Sequence, residues 1–128
     1  MTSPSPSAGT DAIEPPSGCP VQLASDVLAG KWTMLIVQEL LTGVKRYSEL
    51  QNALPGISSK MLAQRLRMLE ESELLTRKIY ATIPPRTEYR LTRLGHEIEP
   101  VILAMTGFGR KLAATQDTDD KRQASLPL

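Results

Sequence analysis

The 128-residue chain contains one cysteine, Cys19, and one histidine, His96. An internal disulfide framework is therefore excluded, and a Cys/His zinc site has too few ligands to form. Aromatics are scarce: Trp32, Tyr47, Tyr80, Tyr89 and Phe108 are all there is. The core must rest on Leu, Ile, Val, Met and Ala. No apolar run exceeds Val101–Met105, far short of a bilayer span. The N-terminus has neither a basic start nor an apolar block, so no signal peptide is expected there, and a cytoplasmic location without membrane contact is expected. Nothing in the pattern calls for a cofactor. Net charge is only +1, so overall basicity does not advertise a polyanionic partner.

The distribution of charge says more than its sum. Residues 43–95 carry ten Lys or Arg against five acids, while residues 1–30 carry three acids and no Lys or Arg. A basic middle beside an acidic flank suits a surface that meets a polyanion, although a merely solvated surface also produces such a bias.

Residues 1–18 are rich in Ser, Pro, Gly and Thr and are expected to form a disordered arm. Residues 116–128 are polar and are expected to be a flexible tail, leaving a folded domain at 19–115. A first helix is expected from Pro20, since proline suits the first helical position, with Gly30 as its stop. A second helix is expected over about 31–42. A third is expected from Ser48, with Ser48 and Gln51 at capping-box spacing, broken by Pro55-Gly56. A fourth has Ser58 as N-cap and runs to about Ser72. A strand is expected over Leu75–Ile83, a hairpin tip at Pro84-Pro85 and a return strand over Thr87–Leu91. Thr92 then caps a last helix, about 93–115, kinked or broken by Pro100. This order predicts a mainly α fold with a small β-hairpin, an α+β winged helix-turn-helix with helical dimerisation elements at both ends.

The fourth helix carries the functional expectation. At 100° per residue Leu62, Leu66 and Leu69 share one side, and Lys60, Gln64 and Arg67 share nearly the opposite one. Arg and Lys donate to guanine O6 and N7, and Gln pairs with adenine N6 and N7. Ser58 and Ser59 stand at the helix N-terminus, where hydroxyls and free N–H groups suit a phosphate. Arg86 at the hairpin tip is expected to reach the neighbouring minor groove or its phosphates, and Lys45 and Arg46 to touch the backbone on the other flank. Any amphipathic helix has a polar face, so the surrounding order of elements gives this pattern its weight.

Cys19 directly precedes a helix start, where N–H groups and the helix dipole favour a thiolate. That makes it a candidate redox-sensing thiol; a small, partly buried residue without a redox role is the competing reading. Ile98, Val101, Ile102, Met105, Phe108 and Leu112 form a broad apolar band on the last helix. With Val21 they are the expected dimer interface, because so small a domain has little core to cover them. His96 reads as a surface or packing residue, and Met34, Met61, Met68 and Met105 as core filling.

Cys19-Pro20, Gly30-Lys31-Trp32, Ile57-Ser58-Ser59-Lys60-Met61-Leu62, Arg65-Leu66, Leu69-Glu70 and Pro84-Pro85-Arg86-Thr87-Glu88-Tyr89-Arg90-Leu91-Thr92 together resemble the HxlR-type family of bacterial winged helix-turn-helix regulators, over about residues 19–112. Tyr47 stands where the family often has Phe, and Phe108 where many members have Trp. The resemblance implies a homodimer built through the first and last helices, bound to a double-stranded, near-palindromic DNA operator. It also implies that Cys19-Pro20 is the sensing pair of members that respond to quinones, aldehydes or disulfide stress. The expected function is a DNA-binding transcriptional repressor responsive to an oxidant or small electrophile. A winged-helix module for protein–protein contact is the alternative. A thiol enzyme using Cys19 lacks a histidine base, a second thiol or an acidic cluster at useful spacing, so no catalytic residue is expected.

Overall fold

A computed structural model describes residues 18–124 of the chain, with side chains to residue 118. The element order is α1 (Pro20–Leu28), α2 (Lys31–Leu41), β1 (Lys45–Arg46), α3 (Tyr47–Ala53), α4 (Ser59–Glu71), β2 (Leu75–Tyr80), β3 (Arg86–Leu91), α5 (Arg93–His96) and α6 (Glu99–Ala124). The fold is mostly helical, with one three-stranded antiparallel sheet in the order β1-β3-β2. It is a winged helix.

Local chemistry sets the element ends. Pro20 opens α1 as its first residue, after Cys19 in extended backbone. Ser58 caps α4, its hydroxyl oxygen accepting from the Met61 N–H at 3.0 Å. The far end of α4 closes in a Schellman pattern: the Leu74 N–H donates to the Leu69 carbonyl and the Glu73 N–H to the Glu70 carbonyl. Glu73 holds the left-handed position of that motif, at φ 62°. Thr92 caps α5 by accepting from the Gly95 N–H, and its hydroxyl donates to the Glu73 carbonyl at 2.7 Å.

The core is one aliphatic cluster. Ile36, Val37 and Leu40 of α2, Leu50 of α3, and Leu62, Leu66 and Leu69 of α4 are all buried. Leu75 and Leu91 close it from the sheet, and Tyr89 is its one buried aromatic ring. Each buried leucine contributes about 1.5–3 kcal/mol over leaving it in water. Gly95 is buried where α5 meets the turn between α4 and β2, and a Cβ there would collide with the Leu74 carbonyl oxygen. Only a hydrogen lets the two backbones approach so closely.

Five expectations shift. The third helix begins at Tyr47, not Ser48. Its N-cap is Arg46, whose N–H donates to the Glu49 carboxylate at 2.7 Å, because an acid in the first turn reaches back more readily than Gln51. The sheet gains β1, two cationic residues without alternation, held in place by pairing Lys45 with Tyr89 and Arg46 with Glu88. The first strand of the hairpin stops at Tyr80, not Ile83. The last helix is two: Glu97 and Ile98 interrupt it, and Pro100 sits in the first turn of α6, where its missing N–H costs nothing. α6 also runs to Ala124, into the segment expected as a flexible tail from residue 116. The expected arm, apart from Gly18, lies outside the described residues.

Candidate nucleic-acid interface

α4 is backed by leucine and open on its other side. Leu62, Leu66 and Leu69 are buried, whereas Lys60, Gln64 and Arg67 are exposed along the opposite edge. With Ser58 as cap, the helix axis and its polar edge are fixed by packing before any ligand arrives. Two cations and an amide side chain on a supported helix can donate to phosphates and to base edges alike.

α3 clamps the start of that helix. The Gln51 side-chain amide donates to the Ser59 hydroxyl oxygen at 2.9 Å, and the Tyr47 hydroxyl donates to the Ser59 carbonyl at 2.9 Å. Ser58 and Ser59 therefore both hold structure first. One caps α4 and the other is the anchor of α3, and each hydroxyl hydrogen remains free to donate to a phosphate. The clamp residues Gln51 and Tyr47 were not legible as such in the sequence, since their partner is set by the angle between two helices.

Lys45 and Arg46 stand on β1, at the edge of the sheet, Lys45 half-buried and Arg46 exposed. Arg86 is not at the hairpin tip. It is the first residue of β3, paired with Tyr80, and its guanidinium lies 4.4 Å from the centre of the Tyr80 ring. Its Nε is 3.5 Å from a Glu88 carboxylate oxygen. An aromatic face and an acid on its own strand hold this cation back, so it lies half-buried at the base of the tip. The tip itself, residues 81–85, is exposed and carries no charge. Between the tip and the start of α3 lies a cleft of about 650 Å³, lined by Arg46, Ser48, Ile83, Pro84, Arg86 and Thr87 among others.

Burial pushes the Tyr89 phenol above the usual value, opposed by the nearby Arg77 charge. It lies inside the sheet and belongs to the core. Among the described residues no group of three or more His, Cys, Asp or Glu could hold a metal ion, and no helix is long and apolar enough to cross a membrane. His96 is exposed, as expected.

The expected dimer residues divide. Ile98 and Ile102 are 7% and 8% exposed within a single subunit and belong to its own core, where the start of α6 packs against α2. Val101, Met105, Phe108 and Leu112 stay exposed, Phe108 at 64%. Their spacing of four, three and four residues aligns them on one stripe of α6, which continues along the chain past the buried Ile98 and Ile102. On α1 no residue is buried, and Val21 is 77% exposed. Leu23 is exposed beside it, an apolar residue that the sequence reading passed over. Cys19 is half-buried at the head of the same helix, with a free thiol.

One link joins α1 to α4. Gly30, at φ 93°, forms the α1–α2 junction, and a Cβ there would come within 2.9 Å of the Arg65 guanidinium. The Arg65 side chain thus lies directly on the backbone that joins α1 to the rest of the fold.

The model of the family described as HxlR-like helix-turn-helix matches residues 27–117. An HTH-type transcriptional regulator from Synechocystis is 47% identical over 91 residues, 71% of this chain and 67% of the relative. Among solved structures, a protein described as a MarR-family transcriptional regulator from Porphyromonas gingivalis W83 is 40% identical. It superposes with a TM-score of 0.72, covering 77% of this chain and 97% of its own. The redox regulator HypR is also similar. Its reduced form is 33% identical at a TM-score of 0.73, covering 78% of this chain and 99% of its own. Its oxidised form is 36% identical at 0.68, covering 73% and 96%.

Proposed function

The chain belongs to the HxlR-like helix-turn-helix family of transcriptional regulators, and from that premise we propose that it works in the cytoplasm as a homodimeric repressor on a near-palindromic, double-stranded DNA operator. The observation that carries this reading is the bare edge of α4. Lys60, Gln64 and Arg67 stand exposed on a helix whose other face is locked into the core by three leucines. The N-terminal turns of α4 enter the major groove, where these side chains meet base edges and phosphates. Lys45 and Arg46 add backbone contacts beside the groove, and the Ser58 and Ser59 hydroxyls donate at its mouth. Arg86 supports the wing from below.

Two recognition helices must lie about one helical turn apart, roughly 34 Å, to read both halves of an operator. The exposed stripe Val101, Met105, Phe108 and Leu112, together with Val21, supplies the apolar surface that pairs two subunits and sets that spacing. None of these groups is catalytic, and no step of the proposed function calls on a cofactor.

Cys19 receives the signal in this reading. The sequence contains no second cysteine, so its products are a disulfide between two subunits, a mixed disulfide with a small thiol, or a thioether adduct with an electrophile such as a quinone. In the first case two thiols lose two protons and two electrons to the oxidant. Each product alters the head of α1, and Gly30 and Arg65 connect α1 to α4. The structural likeness to a redox regulator supports this part of the proposal.

A gel shift with the region upstream of the protein's own gene, at two salt concentrations, tests the DNA reading; no retardation at low salt overturns it. Repeating it after diamide or quinone treatment, with wild type and Cys19→Ser, tests the thiol. Release of wild type alone supports Cys19 as the sensor, and an equal response of both proteins excludes it.

A further inference from the structure

We propose that Arg65 sets the half-site spacing the dimer reads: its guanidinium braces the α1–α2 junction against α4, and so fixes a pairing helix relative to the reading helix. This inference rests on the DNA-binding and dimer readings above and names the residue that couples them. It does not depend on Cys19.

A dimer reads both halves of an operator only if its pairing elements and its reading element keep a fixed relation. α6 is anchored at its start, where Ile98 and Ile102 are buried. α1 has no such anchor. None of its residues is buried, and its apolar packing against the core comes from the half-buried Val27 and Leu28 in its last turn. Just beyond that turn the chain bends at Gly30 and enters α2. A bend beside so light a hold would leave α1 free to swing.

Arg65 stands against that bend. At 100° per residue it falls on α4 between the bare edge of Lys60 and Arg67 and the buried face of Leu62 and Leu69. Its guanidinium atoms fill the space that a Cβ on Gly30 would enter, at 2.9 to 3.5 Å from that position. Gly30 is held to glycine twice, by φ 93° and by this contact. The contact is one of shape. The Arg65 Nε is buried without a hydrogen-bond partner, and among the described residues no carboxylate lies within ion-pair distance of the guanidinium. A buried donor without an acceptor is destabilising, so neither charge pairing nor hydrogen bonding within the subunit accounts for an arginine here. Its position does: it lies on the flank of the reading helix and touches the root of α1. The guanidinium is planar and rigid, whereas a lysine ammonium is a compact charge on a flexible stem.

One inserted base pair parts two half-sites by about 3.4 Å and rotates one against the other by about 35°. The upstream duplex that wild type protects is compared with versions carrying one base pair more or one fewer between its halves, and with a single half-site. Wild type, Arg65→Met and Arg65→Lys are titrated against each by fluorescence anisotropy across a salt series. Methionine keeps an apolar stem and removes the guanidinium. Wild type is expected to bind the two altered spacings about tenfold more weakly than the original, the size of an ordinary coupling between two sites. Both variants are expected to bind all three spacings within about twofold of one another, and to bind the single half-site as wild type does, with the same salt slope. Circular dichroism and sedimentation should show both folded and dimeric; should Arg65→Met fail to fold, Arg65→Lys carries the test. Either folded variant keeping the wild-type preference overturns the brace. Weaker half-site binding with a flattened slope also overturns it, because Arg65 would then be a phosphate contact. Wild type that fails to bind at low salt overturns the DNA reading and this inference with it. Wild type that binds all three spacings alike overturns the inference and leaves α4 as the reading helix.

Discussion

The Gln51 amide donates to the Ser59 hydroxyl oxygen at 2.9 Å, so α3 holds the recognition helix at its first residue. The Tyr47 hydroxyl adds a second hold on the same residue, through its carbonyl. The angle at which α4 leaves the body therefore depends on α3 as well as on the leucines behind it. Each of these exposed hydrogen bonds is worth about 0.5–1.5 kcal/mol. The double variant Tyr47→Phe/Gln51→Ala should lose about 1–2 kcal/mol of stability in urea denaturation. Its affinity for the upstream duplex should fall further than that of an equally destabilised core variant. Equal affinity losses in the two would show that the clamp does not orient α4.

Gly95 is a place where the backbone leaves no room. Gly95→Ala must push α5 off the Leu74 carbonyl or displace β2. A loss of about 1–3 kcal/mol is expected from the overpacking, read by urea denaturation at fixed protein concentration. A change under about 0.5 kcal/mol, the size of an ordinary surface substitution, would contradict the packing described here.

Phe108 stands on the exposed stripe of α6, 64% exposed and outside the subunit's buried core cluster. Phe108→Glu places a charge where a second subunit's apolar stripe is expected. Sedimentation should show wild type at twice the 14.0 kDa chain mass and Phe108→Glu near the single mass, with unchanged circular dichroism. DNA affinity should drop steeply, since one subunit then reads one half-site. A variant that still sediments at the double mass would move the interface elsewhere.

Much of this was legible in the residues. Leu62, Leu66 and Leu69 against Lys60, Gln64 and Arg67 gave α4 its inside and outside, and Ser58 gave its start. What sequence could not show was decided at a distance. β1 exists because Lys45 and Arg46 meet Tyr89 and Glu88 of β3, and nothing in two adjacent cations announces a strand. The turn after α4 has the geometry usually served by glycine, yet Glu73 occupies it, with Leu69 and Leu74 buried on either side. Ile98 and Ile102 looked like the continuation of one apolar band with Phe108. The subunit's own core covers only the start of that band, so Ile98 and Ile102 are buried while Met105, Phe108 and Leu112 further along stay exposed. Arg86 was expected at the tip because of its prolines; the Tyr80 ring, six positions earlier in the chain and opposite in the sheet, holds it back.

The most direct test of the account is the salt dependence of DNA binding by wild type and by Lys60→Ala/Arg67→Ala. The double variant keeps the buried leucine face and should fold normally. The account predicts a loss of at least a hundredfold in affinity, with the slope of log affinity against log salt flattened. A double variant that binds the upstream duplex as tightly and with the same slope as wild type would contradict it, because α4 would then not be the helix in the groove.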